Sequence, residues 1–116
     1  MRTRDMRIDL VPATSTRDDP TFSLQVSRRG LNRVVRVCGE LDVSTRAQVR
    51  DACLTGRGNS VVVEMAEVTF MDCSGYGSLV AARRILEASG GSLTLRHQTG
   101  QPAHFLQLLA RLQSTN

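Results

Sequence analysis

The segment SVVVEM, from Ser60 to Met65, constrains the fold more than any other. Its three consecutive valines leave no polar face. A short β-branched run of this kind fits a strand covered on both sides, so it belongs inside a sheet with other elements packed on it. The flanking chain supplies the partners. TFSLQV alternates strictly, with Phe22, Leu24 and Val26 on one side and Thr21, Ser23 and Gln25 on the other, the period of a half-buried strand. SRRGLN then offers a glycine-containing turn. RVVRVCG follows as a second strand, so the two are expected to pair as a hairpin.

After the hairpin the period changes. ELDVSTRAQVRDACLTG reads as a helix capped by Ser44 or Thr45, with Thr45 and Gln48 at capping-box spacing. Val49, Ala52 and Cys53 share its inner face and Gly56 suits its end. A second helix is expected from about Gly75 to Ala88, with Leu79, Ala82 and Leu86 buried and Gly90 and Gly91 as the stop. SLTLRH is another strand. Pro102 opens a last helix in which Phe105, Leu108, Leu109 and Leu112 hold amphipathic spacing. The order β β α β α β α predicts an α/β fold, a mixed four- to five-stranded sheet with packed helices. The domain is expected over residues 20–113. Residues 1–19 read as a flexible tail, with a possible short strand at Arg7 to Val11; they lack the apolar stretch of a secretory leader.

Charge excludes more than it suggests. The chain has 116 residues and a net charge of +4, and all 15 basic residues are arginine. They are scattered in small groups such as Arg28 and Arg29, Arg33 and Arg36, and Arg83 and Arg84. With one Tyr, three Phe and no Trp, the chain has neither the basic run nor the stacking surface of a nucleic-acid binder. No stretch approaches the ~18 apolar residues of a membrane span, so a cytoplasmic protein that does not enter membranes is expected. Cys38, Cys53 and Cys73 form no CxxC pair, and His97 and His104 stand alone, so no metal site and no cofactor are expected.

One stretch invites chemistry: FMDCSGYGSL, Phe70 to Leu79, where a strand gives way to a helix. A helix start has unpaired N–H groups and a positive dipole end, so an anion is welcome there. A hydroxyl at that place can be phosphorylated, and Gly75 and Gly77 would let a large partner approach Ser74. Plainer roles are equally open: Ser74 or Asp72 as a cap, Cys73 as a small buried hydrophobe, Tyr76 as an ordinary aromatic, Asp42 as a turn residue. Catalysis finds no support. The serine-hydrolase pattern G-x-S-x-G fails, because Asp72 precedes Ser74 by two and Tyr76 follows it by two. A Cys73 nucleophile would need His97 or His104 as its base, and neither has a recognisable context. No phosphate-cradling glycine loop exists. The chain is expected not to be an enzyme.

Two separated elements carry a family resemblance: Gly39-Glu40-Leu41-Asp42 and Asp72-Cys73-Ser74-Gly75-Tyr76. They sit in VCGELDVSTRAQVRDA and VVVEMAEVTFMDCSGYGSLVAARR. In this order of elements they resemble the STAS domain, and within it the bacterial anti-sigma factor antagonists. The resemblance implies a STAS fold and a cytoplasmic regulator of transcription without catalysis. It implies Ser74 as the phosphorylated serine, and Asp42, Asp72, Cys73, Ser74, Gly75 and Tyr76 as the partner-binding set. The implied partners are an anti-sigma factor with serine kinase activity and a phosphatase acting on Ser74, the chain itself being a monomer or weak homodimer. Binding of the unphosphorylated form would release the sigma factor. The sequence departs from the family pattern at Cys73, where Ser or Thr is usual, at Glu64, where Asp is common, and at Tyr76, where Leu is usual. Rival expectations are a STAS subunit of a stress-signalling scaffold or lipid-transport complex, and a thiol redox sensor using Cys73.

Overall fold

The valine run opens a long inner strand that continues to Met71. The computed structural model describes residues 22–56 and 60–114. Strands β1, Ser23–Arg29, and β2, Asn32–Leu41, form an antiparallel hairpin that turns at Gly30, whose φ of 63° suits glycine. Helix α1, Arg46–Leu54, leads to strand β3, Ser60–Met71; helix α2, Cys73–Ala88, leads to strand β4, Ser92–Arg96; helix α3, Gly100–Ser114, closes the fold. The sheet order is β1-β2-β3-β4, with β2, β3 and β4 parallel. Strands added in one direction through right-handed crossovers put α1 and α2 on one face of the sheet, where they pack against each other. The expected order of elements holds, with four strands in the sheet. The expected tail and the short strand at Arg7 to Val11 lie outside the described residues.

The core is aliphatic and lies between the sheet and the two helices. Val35, Val37 and Leu41 of β2 and Val61, Val63, Met65 and Met71 of β3 meet Val49 and Cys53 of α1 and Leu79, Ala82 and Leu86 of α2. Val62, on the opposite face of β3, is also buried, as a doubly covered strand requires. Beyond Val62 and its half-buried neighbour Val34, that second face is largely polar. Gln25, Arg36, Glu64 and Arg96 are in register across all four strands, and Arg36 pairs with Glu67 at 2.7 Å. Arg33 is the exception on the inner face: buried, it donates to the Cys53 carbonyl at the end of α1.

Four expectations need correction. Helix α2 begins at Cys73, two residues before the expected Gly75, because Asp72 takes the cap. Thr45 does not make a capping box; its Oγ1 donates to the Glu40 carbonyl at 2.8 Å and accepts the Asp42 N–H at 3.0 Å, tying the loop back to β2. Helix α3 starts at Gly100, with Pro102 inside its first turn and buried. Its apolar stripe is only partly covered: Leu108 and Leu112 are 44% and 67% exposed. The reason is that α3 docks through its N-terminal half. The Gln101 side chain accepts from Met71 N–H at 2.8 Å and donates to Met71 C=O at 3.0 Å, continuing the ladder past the end of β4. Phe105 and Leu106 then rest against the core, and beyond them the helix runs past the sheet.

Candidate functional site

The two motifs meet where β2 and β3 end. Leu41 and Met71 are the last registered pair of these parallel strands, so Asp42 and Asp72 leave the sheet side by side. The Asp72 N–H donates to the Leu41 carbonyl at 3.3 Å and stitches the two exits together. Crevices at the carboxyl ends of parallel strands are the usual ligand sites of open α/β sheets. The packing here is tight. A Cβ on Gly75 would stand 2.2 Å from the Leu41 carbonyl oxygen and 2.7 Å from its Cγ, so only glycine lets α2 start this close to β2. Gly75 is therefore not the open backbone that the sequence suggests. Gly77 is: nothing lies within 4 Å of the corresponding position.

Each aspartate organises its own helix start. Asp72 is the N-cap of α2, and its Oδ1 accepts the Gly75 N–H at 2.9 Å. Asp42 shapes the turn into α1: its Oδ1 accepts from the Ser44 N–H at 3.0 Å and the Ser44 hydroxyl at 2.8 Å. The Ser44 hydroxyl bond, foremost, holds the Asp42 carboxyl below the ordinary aspartate range.

With Asp72 as cap, Ser74 becomes the second residue of α2 and its hydroxyl makes no hydrogen bond to the described residues. It lines a cleft of about 500 Å³ between α1 and α2, together with Arg46, Ala47, Arg50, Cys73, Gly77, Ser78 and Ala81. Ser78, one turn further on, is buried and donates to the Gly75 carbonyl at 2.6 Å. Among these cleft hydroxyls Ser74 is the half-buried, unbonded one. Cys73 is an exposed thiol on the same rim, whereas Cys53 is sealed in the core and its thiol is pushed up to about 12 by burial. Tyr76 turns elsewhere: its ring meets Phe105 edge to face at 6.3 Å and joins α2 to α3. His97 is not alone either, since its Nδ1 lies 2.6 Å from Glu64 Oε1. Among the described residues no group of three or more His, Cys, Asp or Glu could hold a metal. No described helix is long and apolar enough to cross a membrane.

A family model described as "Mlab, STAS domain" matches residues 24–113. The chain belongs to the STAS domain family. No curated protein matches it. This STAS domain is 30% identical to the anti-sigma factor antagonist SpoIIAA in its unphosphorylated form, over 68% of this chain and 74% of that one, with a TM-score of 0.52. The phosphorylated form of SpoIIAA, the Bacillus cell fate determinant, matches at 24% identity over 76% and 83% of the two chains, with a TM-score of 0.57. An anti-sigma factor antagonist STAS domain from Rhodobacter sphaeroides shares the fold at a TM-score of 0.58, with 19% identity over 72% and 90%. Mglu matches at a TM-score of 0.59 and 22% identity over 66% of this chain, but the STAS domain spans only 20% of Mglu.

Asp42, Asp72, Cys73, Ser74 and Gly75 of this STAS domain thus gather at the C-terminal ends of β2 and β3, while Tyr76 packs against α3. Sequence reasoning passed over two members of the cleft, Arg46 and Arg50, by treating the arginines as dispersed. The available signal was their i, i+4 spacing on one helix face, directly after the Gly39-Glu40-Leu41-Asp42 element.

Proposed function

We propose that this STAS domain is an anti-sigma factor antagonist whose Ser74 is the phosphoacceptor. The observation that carries the reading is the unbonded Ser74 hydroxyl on the cleft rim, beside both strand-end motifs; the 30% identity to SpoIIAA supports it. The chain binds a partner that is both anti-sigma factor and serine kinase, and the bound partner gives up its sigma factor. Asp42, Asp72 and Cys73 form the contact surface around Ser74, with buried Gly75 fixing the helix start beneath it and Tyr76 bracing it from behind. In the modifying step the Ser74 Oγ–P bond forms and the bond from the γ-phosphorus to the ADP oxygen breaks. ADP leaves with that electron pair, and the hydroxyl proton passes to a base on the kinase. This chain is the substrate and supplies no catalytic group. The phosphate adds about −1.5 to −2 charges on the docking surface. A modification that breaks the charge complementarity of an interface costs ~2–5 kcal/mol, which is roughly 30- to several-thousand-fold in affinity. A phosphatase restores the binding form.

The test is titration of variants against the cognate anti-sigma factor, with phosphosite mapping after incubation with ATP. Ser74→Ala should bind constitutively with the fold intact, because no described hydrogen bond depends on that hydroxyl. Ser74→Asp should bind more weakly, though less so than the phosphorylated chain. Phosphate found on Thr69 or Ser78, or equal affinity for the two variants, refutes the assignment. The description of the matching family model, Mlab, favours one second reading: a STAS subunit of another assembly, such as a lipid-transport complex, that needs no phosphate on Ser74. Affinity capture from the native cell separates the two, since one predicts a kinase as prey and the other membrane transporter subunits.

A further inference from the structure

The cleft beside Ser74 is basic in a way that the stability of α1 does not explain. Arg46 is the first residue of α1, where a cation faces the positive end of the helix dipole. Arg50 lies one turn later on the same face, and like charges at that spacing repel. The first turn of α1 holds no acidic residue, and among the described residues no carboxylate pairs with Arg46. The carboxylate near Arg50 is Asp51, 3.8 Å away between two exposed side chains, a weak contact. Two cations kept against local preference on the wall of a cleft are suited to receive an anion. The facing wall carries Ser74 and the first turn of α2, whose Cys73 and Ser74 amides have no intrahelical acceptor. Asp72 and Asp42 lie nearby, but both carboxylates are engaged by their own helix starts.

We propose that Arg46 and Arg50 receive the phosphoryl group carried by Ser74, so that phosphorylation switches the domain by neutralising its own basic cleft. This inference rests on the reading of Ser74 as phosphoacceptor and adds how the modification is read. The guanidinium fork matches a phosphate in geometry, and two of them offset nearly all of its charge of about −1.5 to −2. Modification then removes a positive patch instead of creating a negative one. The surface that docks on the unmodified cleft is accordingly acidic.

The test needs no kinase. Phosphoserine is placed at position 74 during translation, and its second ionisation is followed in the intact chain by phosphorus-31 NMR. In the otherwise native chain the midpoint should fall below the usual value of about 6, by on the order of one unit, because opposite charges at close range favour the dianion. In Arg46→Gln/Arg50→Gln it should return to about 6, and Arg46→Lys/Arg50→Lys should keep part of the shift. Circular dichroism checks that each variant is folded. The same midpoint in the native and Gln chains overturns the inference, whether that shared value is lowered by the helix start or is not lowered. If no cellular kinase modifies Ser74, the phosphoswitch falls while the NMR result stands. If the midpoints coincide, this inference falls and the phosphoswitch stands.

Discussion

Gly75 and Gly77 are two residues apart in one helix and carry opposite demands. Gly75→Ala drives a methyl group into the Leu41 carbonyl, a backbone atom that cannot swing aside. Overpacking of this kind costs ~1–3 kcal/mol, and equilibrium urea unfolding should show a loss of at least that size. Gly77→Ala meets open space and should gain ~0.5–1 kcal/mol from helix propensity in the same experiment. The sequence treats the two glycines alike, since spacing along a helix carries no information about a strand end contributed from far earlier in the chain. The thiols separate in the same way. Alkylation of the native protein should reach exposed Cys73 first, half-buried Cys38 more slowly, and Cys53 only on unfolding. Fast native labelling of Cys53 would contradict the packing described for α1. Asp42 provides a pH test. A carboxyl held low in the folded state adds stability above the unfolded-state pKa of about 3.9, and that stability is lost as pH falls through the lower folded value. NMR titration should give Asp42 a midpoint below the ordinary range, and Ser44→Ala should raise it.

At the scale of elements, order and type were legible and depth was not. The switch from period two to period 3.6 identified the described strands and helices other than β3, because each keeps an apolar face that the core requires, and the unbroken valine run marked β3. The sequence left the cap of α2 open between Asp72 and Ser74, both competent N-caps; the backbone that leaves β3 at Met71 decides for Asp72. The stripe of α3 was overread because periodicity tells which residues share a face, not how much surface awaits it. What anchors α3 is Gln101, a polar residue without a periodic signature. Gln101→Ala removes both side-chain bonds to Met71 and should cost ~1–3 kcal/mol at a net ~0.5–1.5 per bond. Amide exchange should quicken in the first turn of α3 and at Met71, whose N–H loses its acceptor. Leu112→Ser, at the exposed end, should stay within ~0.5 kcal/mol of the parent.

For the whole molecule, the decisive arrangement is that two motifs far apart in sequence leave the sheet together, and that the second of them lines a cleft against α1. The motif positions were readable; the basic wall opposite them was not, since it depends on α1 and α2 lying side by side. If that wall meets an acidic partner, affinity should drop steeply between ~0.1 and ~1 M salt, over which the screening length falls from about 10 to about 3 Å. The phosphorylated chain should show a flatter salt response. The contact between Gly75 and Leu41 has a further consequence. Ser74 rides on a backbone wedged against the sheet, with no slack for α2 to slide or tilt when its side chain changes. A mark written there cannot be relayed through the core to some distant surface. On the proposed reading of Ser74, the mark must be read where it stands, as a stamp on a rigid tile rather than as the throw of a lever.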